Sequence, residues 1–246
     1  LSFDDALRCQ YDIAVPLLAE FGLDAFFFIY SSAFTDNPDF LEIYRLFRTS
    51  HFDCIEDFYS NFFSIVEQLD KVDYKKHRSF YKSINYLSAF PFYSENDKWF
   101  RYLRDKYLGS TRYNEIMTKM MTVNGFDLEN AKKNIWMLED HVKILEQNGH
   151  LIGLHSYSHP TQMSQLSRED QQREYSKNYD HLSKILANPI KAMSHPCGNY
   201  NNDTLKILEN MGIQIGFRSN MSVLEIKSSL EIPREDHSNV FKEMNL

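Results

Sequence analysis

Glycine is scarce: there are eight in 246 residues, and none falls in a GxGxxG or GxxxxGK(S/T) pattern. That removes the usual dinucleotide and P-loop readings. Cysteine is scarcer still, with Cys9, Cys54 and Cys197 odd in number and without CxxC spacing. Neither a disulfide framework nor a thiolate zinc site is expected from them. Basic charge is not in excess, since 27 Lys and Arg stand against 34 Asp and Glu for a net charge of −7. A phosphate-backbone partner needs clustered cations that displace counterions, so nucleic acid is set aside. No run reaches the roughly 18–20 apolar residues of a membrane span, and the longest candidates are short stretches such as "DAFFFIYSSAF". Repeats of 20–50 residues and low-complexity tracts are missing as well. The chain opens on Leu1 inside an apparent strand, without an initiator Met. We expect the natural N-terminus upstream, so the compartment, cytoplasmic or exported, is left open, as is the oligomeric state.

What is present is enough apolar material, 43% of residues, for one large core and room for a second lobe. Residues 1–34 read as strand, helix, strand: "LSFDD", then "ALRCQYDIAVPLLAEFG" with Gly22 as its stop, then the buried run "LDAFFFIY". The alternation resumes near 150 with the strand "HLIGLHSY", a helix from about Ser167 to Leu186, the strand "IKAMSH", the helix "NDTLKILENMG" and the strand "IQIGFRS". This βαβ pattern predicts an α/β domain with a parallel sheet.

Between them, residues 35–138 read as helical throughout. Ser94 is a candidate N-cap, "DKWFRYLRDKYLG" ends on Gly109, and "LENAKKNIWMLEDHVKILEQNG" runs on to Gly149 as one helix. The 104 residues of this segment hold 22 of the 36 aromatics, and their 15 basic and 15 acidic residues cancel, so the whole charge of −7 belongs to the α/β part. Aromatic rings can stack on sugars, but Phe and Tyr at helical spacing are read here as the core of a small helical unit. The expected organisation is a discontinuous α/β domain, 1–34 and 139–246, interrupted by a helical insertion at 35–138.

The chemistry gathers at the ends of the expected strands. Asp4 and Asp5 are adjacent behind the first strand, and two like charges at a buried strand end disfavour each other's ionisation unless a cation or a task accounts for them. "LHSYSHP" sets His155 and His159 four residues apart immediately after "HLIGL". An HxxxH alone is weak, but active sites in parallel α/β folds collect at the carboxyl ends of strands. One carboxylate with two imidazoles is a three-ligand set for Zn²⁺ or a similar divalent ion, with a position left open for water. A third strand end supplies "SHPCGNYN", a tight turn whose N–H groups could face developing negative charge. Near the C-terminus, "EIPREDH" offers Arg234, Glu235, Asp236 and His237. His195 could face the same cleft or cap its strand. His51, His77, His141, His150 and His181 have no partners at ligand spacing.

The order "SFDD", "FGLDAFFFIY", "NGHLIGLHSYSHP", "AMSHPCGNYN", "IGFRSN", "IPRED" resembles the polysaccharide deacetylases with NodB homology, carbohydrate esterase family 4. The resemblance covers about 1–34 and 139–240; the helical insertion has no counterpart in it. It implies an irregular (β/α) barrel and a metal-dependent hydrolase removing an N- or O-acetyl group from a sugar, glycolipid or polysaccharide. Residue by residue, it implies Asp4 as general base and Asp5, His155 and His159 as ligands of a divalent metal, zinc foremost. Arg234 would orient and charge-pair with the base, the backbone N–H of Cys197 would serve as oxyanion donor, and His237 is the nearest candidate for the general acid. The groove motif departs from many relatives in carrying Ser194 and Cys197 where an arginine or an aromatic stands. Two other readings remain: hydrolysis of a non-sugar amide on the same fold, and a catalytically silent glycan-binding module.

Overall fold

The computed structural model describes residues 1–88, 90 and 93–244; positions 89, 91 and 92 of the expected insertion and the end of the expected 139–246 segment lie outside them. The chain forms two compact units, Leu1–Asp39 with Lys132–Leu246, and Phe40–Ala131.

The first unit is built on a five-stranded parallel sheet in the order β1 (Ser2–Asp4), β2 (Phe26–Ile29), β3 (Leu151–Leu154), β4 (Ala192–Ser194) and β5 (Ile215–Phe217). The parallel α/β architecture expected from the alternating pattern is the one found. Phe27, Phe28 and Ile29 are fully buried, as expected of a parallel strand covered on both faces. Phe28 pairs with Gly153, and glycine is needed there: a Cβ would lie 2.6 Å from the Phe28 ring and 2.8 Å from the carbonyl oxygen of Ala192. Beyond β5 a single parallel bridge joins Phe217 to Ile232.

The sheet curls. Neighbouring strands lie about 4.8 Å apart, so β1 and β4 in a flat sheet would be separated by roughly 14 Å. Instead, Ser194 at the end of β4 donates a hydrogen bond from its Oγ to Asp4 Oδ2 at 3.2 Å. Phe28 of β2 and Phe217 of β5 likewise bring their ring centroids to 5.5 Å. The carboxyl ends of the strands therefore face a common centre, as in an incomplete (β/α) barrel.

In chain order the helices are α1 (Val15–Glu20), α2 (Leu41–Ser50), α3 (Ile55–Leu69), α4 (Lys71–Tyr81), α5 (Glu95–Tyr102), α6 (Gly109–Val123), α7 (Leu128–Ile135), α8 (Glu139–Gln147), α9 (Arg168–Ile185), α10 (Asn202–Asn210) and α11 (His237–Glu243). None is long and apolar enough to cross a membrane among the described residues. Three differ in detail from the sequence pattern. The first crossover helix starts as a π-helical stretch, Gln10–Ala14, before α1. A second π-helical stretch, Leu103–Leu108, follows α5 and leads to Gly109. The single helix expected up to Gly149 is two, α7 and α8. It breaks where Trp136 bridges Leu7 and the Met137 N–H donates to the Ala6 carbonyl at 2.8 Å. A long-range pairing, invisible to local periodicity, overrides the helical pattern there.

In the second unit Phe47, Phe58, Phe62, Trp99 and Phe100 are almost completely buried, and Phe62 meets Phe100 at 4.9 Å between centroids. The aromatics of this unit fill its core. Ser94 caps α5, its Oγ accepting from the Asp97 N–H.

Candidate active site

Adjacent residues of a strand point to opposite faces, so Asp4 and Asp5 could not share a site if β1 continued. It stops at Asp4. Asp5 (φ +78°) and Ala6 (φ +55°) both adopt left-handed backbone, which turns the second carboxylate back toward the sheet end. Such conformations cost non-glycine residues roughly 1–3 kcal/mol each and cluster at functional sites. Among the described residues the other non-glycine positions of this kind are Leu87, Ser156, His159 and Cys197. All but Leu87 sit on loops at the carboxyl ends of β1, β3 and β4.

Asp5, His155 and His159 offer ligand atoms that all lie within 4.8 Å of one another. The Nε2 atoms of His155 and His159 are 3.3 and 3.2 Å from Asp5 Oδ1, and the two rings are 4.8 Å apart between centroids. His155 Nδ1 lies 2.8 Å from the Ser194 carbonyl. A carbonyl only accepts, so Nδ1 carries a hydrogen, and in the neutral imidazole Nε2 is left with the lone pair that a cation would take. Two imidazole nitrogens so arranged around one carboxylate oxygen are the donor chemistry that a zinc-like cation takes. Burial works against charging His155, but the neighbouring Asp4 and the hydrogen bond to Asp5 outweigh it and raise its pKa above the ordinary imidazole value.

Asp4 is held differently. Arg234 donates from Nη1 to Asp4 Oδ1 at 2.8 Å and from Nη2 to Asp4 Oδ2 at 2.7 Å. Its other donors go to Ser2 Oγ, Ser194 Oγ and the Arg218 carbonyl, so all five guanidinium N–H groups are engaged. Burial by itself would raise the Asp4 pKa; the nearby His155 and the Arg234 hydrogen bonds overcome that and leave it lowered. Asp4 Oδ2 lies 3.9 Å from His155 Nε2, which sets an ionised carboxylate beside the Asp5–His155–His159 group.

The remaining expected residues fall less centrally. Cys197 lies in the 3₁₀ turn Pro196–Gly198 with φ +53°, its side chain exposed. His237 opens α11 with its ring 84% exposed and its Nδ1 3.5 Å from Asp236 Oδ1; it is not among the residues whose ligand atoms converge. His195 is fully buried. Its Nε2 donates to the Leu230 carbonyl and its ring stacks on Tyr200, while burial pushes its pKa down to about 4. It caps the strand end as a neutral imidazole. Ser194 is the residue whose part sequence reasoning did not foresee. Its hydroxyl touches Asp4 and Arg234 and its carbonyl fixes the His155 tautomer, and the only signal was its place as last residue of an apolar strand.

A family model described as polysaccharide deacetylase matches residues 114–216. That stretch contains His155, His159 and Cys197, with Asp4, Asp5 and Arg234 outside it. No curated protein sequence matches. Among solved structures, the Streptococcus pyogenes deacetylase PplD in complex with acetate is similar at 16% identity, over 99% of this chain and 69% of that one, with a TM-score of 0.50. The BpsB deacetylase domain from Bordetella bronchiseptica is similar at 12% identity, over 96% and 69%, also at 0.50. A de-N-acetylase from Aggregatibacter actinomycetemcomitans is similar at 13%, over 96% and 68%, again at 0.50. At such identities these structures speak for the fold. The family match over residues 114–216 and the shared fold make this chain similar to the polysaccharide deacetylases.

Proposed function

We propose that this protein is a metal-dependent hydrolase that removes an N- or O-acetyl group from a sugar or polysaccharide. The observation that carries the reading is the convergence of Asp5, His155 and His159 within 4.8 Å beside the Arg234-bound Asp4. Asp5 Oδ1 and the Nε2 atoms of the two histidines would hold a divalent ion, zinc foremost. When bound, such an ion acidifies water and polarises a carbonyl.

The chain's own groups do the rest. Asp4 accepts the proton of the attacking water at Oδ2, the oxygen nearer His155. Arg234 holds that carboxylate in one orientation and favours its ionised form, so the base is aimed before substrate arrives. The Cys197 N–H, in the turn after β4, is the candidate donor to the developing oxyanion, a role typically worth roughly 3–4 kcal/mol. Return of the proton to the leaving group is assigned to Asp4 itself, because the His237 ring is 84% exposed.

Metal analysis of the purified chain, paired with acetate release from acetylated chitooligosaccharides and acetylated xylan, tests the reading. One bound divalent ion and released acetate are expected. Metal without acetate redirects the site to non-sugar amides, and a metal-free, inactive chain that still binds glycans supports the silent module.

A further inference from the structure

His155 and His159 are carried by a loop whose backbone is unfavourable by itself, since Ser156 (φ +62°) and His159 (φ +54°) are both left-handed. Inside the loop the His159 N–H donates to Ser156 Oγ at 3.1 Å, and the other hydrogen bonds that hold it come from outside. Glu174 Oε2 accepts from the N–H groups of Tyr157 at 3.0 Å and Ser158 at 2.8 Å, and Oε1 accepts from Ser158 Oγ at 2.8 Å. The Tyr157 carbonyl accepts from the Ser32 N–H at 2.9 Å, and Lys177 Nζ sits 5.0 Å from the Tyr157 ring centroid. One turn further along α9, the side-chain oxygen of Asn178 accepts from the His155 N–H at 3.1 Å. Glu174 and Asn178 are four residues apart, so they lie on one helix face.

Successive N–H groups around a left-handed residue form a concave site for an anion. Here the anion is internal. We propose that Glu174 is a positioning residue of the metal centre: its carboxylate pins the two amides between the histidines and so sets the separation and aim of His155 and His159. The inference rests on the metal-centre reading above. Partners that orient metal ligands are typically worth about 10–100-fold in metal affinity.

Zn²⁺ affinity by competition titration and the visible spectrum of the Co²⁺ form, recorded for wild type, Glu174→Ala, Glu174→Asp and Glu174→Gln, test it. In Glu174→Ala, Zn²⁺ affinity should fall about tenfold or more, the Co²⁺ spectrum should change, and exchange of the Tyr157 and Ser158 amides in the metal-free chain should accelerate. Glu174→Gln keeps an acceptor oxygen and should recover most of the affinity. Should Glu174→Ala fail to fold, Glu174→Asp decides, because it keeps the charge but withdraws the oxygens by one methylene; it should still weaken Zn²⁺ binding and alter the spectrum. Wild-type affinity and spectrum in either folded variant overturn the assignment while leaving the metal centre standing. A wild-type chain that binds neither ion overturns the metal centre and the role of Glu174 with it.

Discussion

Arg234 grips Asp4 through both carboxylate oxygens, at 2.8 and 2.7 Å, across a sequence separation of 230 residues. A planar fork matched to a planar carboxylate fixes orientation as well as charge, which a lysine ammonium cannot do. The pair ties the first strand of the sheet to the segment that follows its last bridge at Ile232. It also leaves Asp4 with little freedom to rotate.

Arg234→Lys should therefore keep the positive charge and lose the alignment. Acetate release should drop tenfold or more, since a misoriented catalytic group forfeits much of the advantage of positioning. Zn²⁺ affinity should change far less, because the lysine keeps the positive charge that Asp5 feels from Arg234 while the lost fork is spent on Asp4. Full turnover in Arg234→Lys would show that the fork is not needed.

Asp4→Asn and His155→Ala should separate the base from the metal ligands. Asp4→Asn keeps the three ligand side chains and should bind metal, yet lose about 10²–10⁴-fold in turnover, the usual worth of a positioned proton acceptor. His155→Ala should lose both metal and activity. A metal-loaded Asp4→Asn variant with wild-type acetate release would remove Asp4 from the role of base.

Much of this arrangement was legible in the sequence, and the limits have physical causes. The strands announced themselves because short apolar runs such as "AFFFIY" and "HLIGL" are what a doubly covered parallel sheet requires. Asp4, Asp5, His155 and His159 then stood at strand ends by position alone. Glu174 did not stand out, because "REDQQREYSKN" reads as a solvated helix face and only the folded loop at 157–158 shows what its carboxylate holds. The break at Trp136 was equally hidden, since its cause is a bridge to Leu7 on the far side of the sequence. The bidentate grip on Asp4 depends on the curl of the sheet, which no local pattern encodes.

Gly153 tests the packing that brings β2, β3 and β4 together. In Gly153→Ala the new methyl would lie 2.6 Å from the fully buried Phe28 ring on one side and 2.8 Å from the Ala192 carbonyl on the other. The ring has no room to retreat and the carbonyl is backbone. Overpacking of this kind costs about 1–3 kcal/mol, so the melting temperature should fall by on the order of 5 °C. An unchanged melting temperature would mean that the strands separate more easily than the geometry allows.

Glu231 is nearly buried, accepts from the Tyr200 hydroxyl at 2.8 Å and pairs with Arg218 at 3.2 Å. Burial alone would raise its pKa, but the hydrogen bonds from Tyr200 and Arg218 and the charge of Arg218 prevail and leave it lowered from 4.5. Folding therefore favours the ionised form. That contribution is complete above the unfolded value and is lost as pH falls through the lower, folded one. Because the Arg218 carbonyl accepts from Arg234 Nε at 2.7 Å, loosening this pair also loosens the support of Asp4. Glu231→Gln, measured by melting temperature from pH 7 to 3, should be less stable at pH 7 by about 1.5–3 kcal/mol, the range for hydrogen bonds to charged groups. Its curve should be flatter toward acid, so that it converges on wild type as Glu231 becomes protonated. Parallel curves down to pH 3 would place the acid sensitivity of the fold in other carboxylates and leave Glu231 as a partner whose charge contributes nothing.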